Sequence, residues 1–176
     1  MKKLSQKILN DLFEQLDSLS ITAKPKEILT TLLEWLRLNA EILNEKPFID
    51  DGLNESLNLN PDIYPVEHSP LHGAEFIHFK NTIKKYTYKD KEPISMFLRQ
   101  ALDRLFLLEV DVYCPNCESS GFFVWKSETY NELVYECKQC AINYFINDFT
   151  KNNFTLVENF NVVPATKIDL KAAYLI

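Results

Sequence analysis

Apolar residues near the start of the chain recur at three- and four-residue steps. Leu4, Ile8, Leu9, Leu12, Phe13, Leu16 and Leu19 fall on one half of a helical wheel, with Lys7, Asn10, Asp11, Glu14, Asp17 and Ser18 opposite. That is the pattern of a helix packed by one face. A second helix is predicted from Pro25, whose fixed φ suits a first turn, to about Leu43. Its apolar set (Ile28, Leu29, Leu32, Leu33, Trp35, Leu36, Ala40, Ile42, Leu43) is wide enough to place it centrally. Residues 44 to 69 lose the periodicity among Pro47, Gly52, Pro61 and Pro65 and read as a long irregular connection, a kind of segment that often carries function. Ser69-Pro70 can cap a helix through Tyr86, although the apolar residues there gather on no single face. From Pro93 the period returns, with Ile94, Phe97, Leu98, Ala101, Leu102, Leu105 and Leu108 defining a helix to near Glu109.

The second part of the chain changes period. Val110-Asp-Val-Tyr113 reads as a first strand. Gly121-Phe-Phe-Val-Trp125 and Leu133-Val-Tyr135 are β-prone runs around a polar turn at Lys126 to Glu132, the punctuation of a hairpin. Strand alternation puts Phe123 and Trp125 on one face, Phe122 and Val124 on the other. The aromatic-rich run from Ile142 to Phe149 follows, and Phe154 to Val163 and Ile168 to Ile176 read as further strands, the last apolar enough to be packed.

All four cysteines fall in this part as two couples, Cys114-Pro115-Asn116-Cys117 and Cys137-Lys138-Gln139-Cys140, nineteen residues apart. Two intervening residues let a tight turn aim both sulfurs of a couple at one ion, and the separation lies within the range for a four-thiolate zinc site. Residues 111 to 147 resemble the zinc-ribbon motif, the Cys-Pro-x-Cys first knuckle strengthening the likeness. The residue after each couple, often glycine in such knuckles, is here Glu118 and Ala141, so the second knuckle is expected to turn differently. Disulfides fit poorly, because the cysteines are sparse and no apolar signal core opens the chain; a redox dithiol needs one couple, not two at ribbon spacing. One structural Zn²⁺ held by Cys114, Cys117, Cys137 and Cys140 is therefore expected, its shell closed to a reactive water.

The fold expected is α+β: an N-terminal bundle of three to four helices over residues 1–110, with a long acidic loop at 44–69, and a docked C-terminal zinc ribbon with additional short strands over 111–176, packed on the helices. At 176 residues and 46% hydrophobic, the chain is long enough for a core and an appendage. No stretch is long enough to span a bilayer; a cytoplasmic protein without membrane association is expected.

Charge refines the functional reading. The net −6 is uneven: residues 111 to 150 hold six acids against two lysines, and from Pro47 to Phe79 there are six acids and no Lys or Arg. Between these zones lies a basic run of Lys80, Lys84, Lys85, Lys89 and Lys91, which reads most simply as a solvated face. Zinc ribbons are commonly associated with nucleic acid, yet an acidic ribbon cannot neutralise phosphates. His68, His72 and His78 lie close together near Glu67 and Glu75, but no His-Glu-x-x-His run, nucleophile elbow or phosphate-cradling glycine motif occurs. With only three glycines and all thiols assigned to metal, the chain is not expected to be an enzyme. The expectation is a zinc-stabilised module that binds a basic protein, most concretely an inhibitor resembling, in composition only, the bacterial immunity proteins that neutralise nuclease toxins. Its contact residues would be Asp50, Asp51, Glu55, Asp62, Glu67, Phe123, Trp125, Glu128, Tyr130 and Glu132. A nucleic-acid- or transcription-associated ribbon factor is the alternative.

Overall fold

Helix α1 (Gln6–Ser18) begins where Ser5 accepts the Ile8 amide through its hydroxyl, satisfying one of the free donors of the first turn. The apolar stripe does what its spacing implies: Leu9, Leu12 and Leu16 are buried. Helix α2 (Pro25–Leu38) has Pro25 at its first turn, with the Glu27 carboxylate accepting the Lys24 amide. It is shorter than the expected run to Leu43. Asn39 ends it, leaving helical dihedrals while its side-chain amide donates to the Trp35 carbonyl at 2.8 Å, and a short 3-10 turn, Ile42–Asn44, buries the remaining Ile42 and Leu43.

The computed structural model describes residues 3–148, 153–158 and 161–176, so Phe149 and residues 159 and 160 of the expected strands lie outside the described residues. It divides into two compact units, one of Met1–Pro61 with Pro70–Leu105, the other of Asp62–Ser69 with Phe106–Ile176. In the helical unit α1 packs on α2 and on α3 (Gly73–Ile83). The Trp35 indole spans that packing, donating to the Ile8 carbonyl at 3.1 Å. Helix α3 does have an apolar face, which sequence reading missed: Phe76, Phe79 and Ile83 are buried and Ile77 is left outside. Helix α4 (Lys91–Phe106) buries Ile94, Leu98, Ala101, Leu102 and Leu105, and Phe97 stacks on Phe79 with ring centroids 5.1 Å apart. The segment after α2 is built of turns, with 3-10 pieces at Glu55–Asn58, Pro61–Ile63 and Val66–His68 and with Phe48 and Leu53 fully buried.

The sheet unit holds β1 (Leu108–Tyr113), β2 (Ser120–Ser127), β3 (Leu133–Cys137), β4 (Asn143–Asp148), β5 (Asn153–Leu156) and β6 (Val162–Pro164). All pairings are antiparallel in the order β1-β2-β3-β4-β5, with β6 pairing the far end of β2. Five helices and six strands make the described chain α+β. Strand alternation sorts the aromatics as expected. Phe122 and Val124 join Tyr135 and Tyr144 in one core, while Trp125 joins Leu107 and Val134 on the other side, with Phe123 and Phe145 against them. Tyr64, from the 62–69 segment, packs edge-on to Phe106, and Glu67 pairs with Lys167 at 3.0 Å.

The C-terminal segment corrects an expectation. Residues 168 to 176 are not a strand; they contain helix α5 (Lys167–Ala172). The cause is a capping box: the Thr166 hydroxyl accepts the Asp169 amide, and the Asp169 carboxylate accepts the Thr166 amide and hydroxyl. That arrangement starts a helix, and it overrides the β-prone look of the apolar residues. Leu170 is buried, and Leu175 and Ile176 pack against the same core. Burial acts to raise the Asp169 carboxyl, but the Thr166 hydrogen bonds and Lys126 outweigh it and hold the group below the ordinary value. A depressed carboxyl stabilises the fold above its unfolded pKa and loses that contribution as pH falls through the folded value. Thr166→Ala is expected to cost about 1 kcal/mol, checked by denaturant unfolding of the variant beside the parent chain.

Candidate metal centre

Each cysteine couple lies on a turn at the end of a strand, and the two turns are built alike. In the first, the Glu118 amide donates to the Cys114 carbonyl at 2.9 Å and the Cys114 amide to Ser119 at 2.9 Å. In the second, the Ala141 amide donates to the Cys137 carbonyl and the Cys137 amide to Ile142, both at 2.9 Å. Closing these rings puts the residue after each couple in the left-handed region, Glu118 at φ 58° and Ala141 at φ 55°. The second knuckle thus turns like the first, and the non-glycine residues carry the strain instead. A left-handed residue with a Cβ costs about 1–2 kcal/mol. Ala141→Gly and Glu118→Gly are each expected to raise stability by up to about 1 kcal/mol, measurable as a shift in the denaturation midpoint at unchanged metal content.

Register brings the couples together. Phe122 lies opposite Cys137, and Tyr113 opposite Ser120 after an irregularity between Val110 and Tyr113. The sulfurs then stand across from one another: Cys114 Sγ to Cys140 Sγ is 3.7 Å, Cys117 Sγ to Cys137 Sγ is 3.6 Å, and all four lie within 4.8 Å. A disulfide would need about 2.05 Å, and all four thiols are free. A tetrahedral ion with bonds of about 2.3 Å would set its sulfurs about 3.8 Å apart. The four cysteines fit one such metal ion. Cys114 and Cys137 are buried, Cys117 and Cys140 half-buried.

Neighbours tune the sulfurs. Hydrogen bonding by Ser119 pulls the Cys117 thiol down to about 6, whereas burial pushes the Cys137 thiol up to about 12. The Tyr144 hydroxyl lies 3.9 Å from Cys114 Sγ, and burial together with that contact raises it to about 12. Lys138, inside the second knuckle, pairs with Glu109 and stands 5.7 Å from the centroid of the Phe123 ring. Beneath that pair lies Gly121 at φ +99°, where an added Cβ would stand 2.9 Å from the Lys138 side chain. Tyr144, Gly121 and the Glu109–Lys138 pair were missed in the sequence; no spacing marks them, since each is brought in by strand register.

The other predicted residues are placed less uniformly. Asp50 is exposed and pairs with Lys46 at 3.5 Å; Glu67 is exposed and pairs with Lys167. Asp51 is half-buried, while Glu55 and Asp62 are exposed. Glu128 and Glu132 are exposed and make no ion pair among the described residues. Tyr130 is 47% exposed and meets Phe145 edge-on at 5.4 Å. Phe123 is half-buried, and Trp125 is buried at 9% exposure with no partner for its indole nitrogen among the described residues. The basic run is largely committed: Lys80 and Lys84 reach Asp17, and Lys91 reaches Glu45. Among the described residues, the cysteines are the only group of three or more His, Cys, Asp or Glu side chains placed to share a metal, so His68, His72 and His78 form no such group. No helix among the described residues is long and apolar enough to cross a membrane. No protein-family model matches the chain, and neither the curated proteins nor the solved structures contain a significant match.

Proposed function

We propose that the chain is a non-catalytic, zinc-stabilised module that binds a basic protein, an inhibitor of a cationic partner such as a nuclease toxin being its most concrete form. The observation that carries this reading is the placement of uncompensated charge. The Asp50 and Glu67 carboxylates and three lysines of the basic run are engaged within the chain. The exposed carboxylates of the sheet unit, Asp111, Glu118, Glu128 and Glu132, have no such partners among the described residues. A tetrathiolate zinc centre would add two further negative charges nearby, since four thiolates outweigh one Zn²⁺. The resulting field attracts cations and repels phosphate.

The metal is assigned as zinc because a tetrahedral set of four thiolates is characteristic of zinc or iron, and its closed shell suits a structural role. Elemental analysis of freshly purified protein is expected to give about one zinc per chain, and visible absorbance from iron would overturn that assignment. For the partner, tagged protein isolated from its host at low salt is expected to bring down a basic polypeptide in comparable amount, released by raising the salt. Release of nucleic acid instead, or salt-sensitive retention on a polyanion resin, would overturn the reading in favour of a nucleic-acid-associated ribbon.

A further inference from the structure

We infer that the hollow between the β2–β3 hairpin and helix α5 receives an arginine side chain of the partner. The inference rests on the reading of the chain as a binder of basic proteins and goes further by naming the point of contact. The hollow has a volume of about 340 Å³ and is lined by Glu132, Leu133, Phe145, Ile146 and the small Ala172 and Ala173, with Lys126 and Asp169 at one side. Leu133 and Ile146 offer apolar surface for the methylenes of a long side chain. Glu132 offers an exposed carboxylate without an ion-pair partner among the described residues. Lys126 does not compete for it, because its ammonium donates to the Asn131 carbonyl at 2.8 Å and pairs with Asp169 at 3.4 Å.

The hairpin tip beside the hollow is held in advance. Ser127, fully buried, donates its amide to Glu132 at 2.9 Å; its carbonyl accepts the Asn131 amide at 3.0 Å and its hydroxyl the Tyr130 amide at 3.1 Å. Asn131 takes the left-handed conformation that closes the turn, and the Glu128 amide is tied to Asn161 at 3.0 Å. Tyr130 is fixed edge-on to Phe145, leaving half its ring open. An exposed carboxylate on a backbone held by Ser127, beside the Phe145 ring and an apolar floor, suits guanidinium, which pairs bidentately and stacks, better than the point charge of an ammonium. Because the tip is rigid, little ordering is needed on binding.

The test uses the zinc-loaded chain with a hexa-arginine peptide, and hexa-lysine for comparison, followed by amide NMR titration at low salt. Expected are shifts centred on Asn131, Glu132, Phe145 and Ala172, tighter binding of hexa-arginine, and an affinity up to about fivefold weaker in Glu132→Gln, the scale of one exposed ion pair. Glu132 is exposed, so this variant keeps the fold. Equal affinity for the two peptides, or binding unaffected by Glu132→Gln but weakened by Asp50→Asn, overturns the hollow and leaves the broader reading standing. Binding of neither peptide overturns both.

Discussion

Replacing Cys137 by serine is expected to unfold the sheet unit and to abolish stoichiometric metal binding. Cys137 is 1% exposed and its sulfur is 3.6 Å from Cys117 Sγ, so a hydroxyl in its place leaves three thiolates around an ion that needs four and a polar group in an apolar wall. Structural zinc contributes about 10–16 kcal/mol in small zinc-folded peptides, against a total stability of about 5–15 kcal/mol for an ordinary domain. No other contact in this unit approaches that size. The same reasoning sets the response to acid. Metal must displace the proton of the buried Cys137 thiol, raised to about 12, whereas Cys117, lowered to about 6, is mainly thiolate at neutral pH. Falling pH returns protons to all the sulfurs and weakens the site; rising pH does not. Metal release and loss of sheet protection are therefore expected together as pH falls from 7 toward 4, followed by elemental analysis of the protein fraction and by hydrogen exchange at the β2 and β3 amides. Loss of metal with exchange protection retained, in Cys137→Ser or in the parent chain at pH 4, would overturn the structural role of the metal.

The parts of this fold legible in the sequence are those encoded locally. The stripe from Leu4 to Leu19, the proline at the start of α2 and the alternation of Phe122 to Trp125 depend on neighbours within a few residues, and each leads to the burial its spacing implies. The two Cys-x-x-Cys couples are legible for the same reason, each being a complete turn in itself. What was not legible depends on capping or on partners distant in sequence. Residues 168 to 176 look β-prone until Thr166 and Asp169 are seen to close a box on each other. The first acidic zone looks like a free surface in the sequence, yet three of its carboxylates, Asp50, Glu67 and Glu75, meet Lys46, Lys167 and Arg104. The hairpin acids find no such cations. Folding thus compensates part of the charge of the 44–69 segment, where composition points, and leaves the acids of the β2–β3 tip without cations among the described residues.

Phe122→Ala is expected to cost about 3–5 kcal/mol. The ring is fully buried and packs against both Tyr144 and Phe154, each centroid 6.0 Å away and the two 5.5 Å from each other, on a central strand flanked at this position by β1 and β3. Truncation opens a void that two flanking rings from β4 and β5 cannot both fill, because each is fixed by its own strand pairing. The effect should reach the metal, since Phe122 lies opposite Cys137 in the ladder and backs Tyr144, whose hydroxyl is 3.9 Å from Cys114 Sγ. A chelator is therefore expected to strip the ion faster from Phe122→Ala than from the parent chain. Phe123→Ala, one residue along and on the other face, provides the control: that ring is only half-buried, and its removal forfeits part of its packing on Leu107, Trp125 and Val134 and the Lys138 contact, at a smaller cost of about 1–2 kcal/mol. Phe122→Leu should recover most of the loss by refilling the volume. Equal losses at Phe122 and Phe123, read from denaturant unfolding and chelator-release rates, would mean that the two faces of β2 are covered alike and that the ring stack does not support the metal centre.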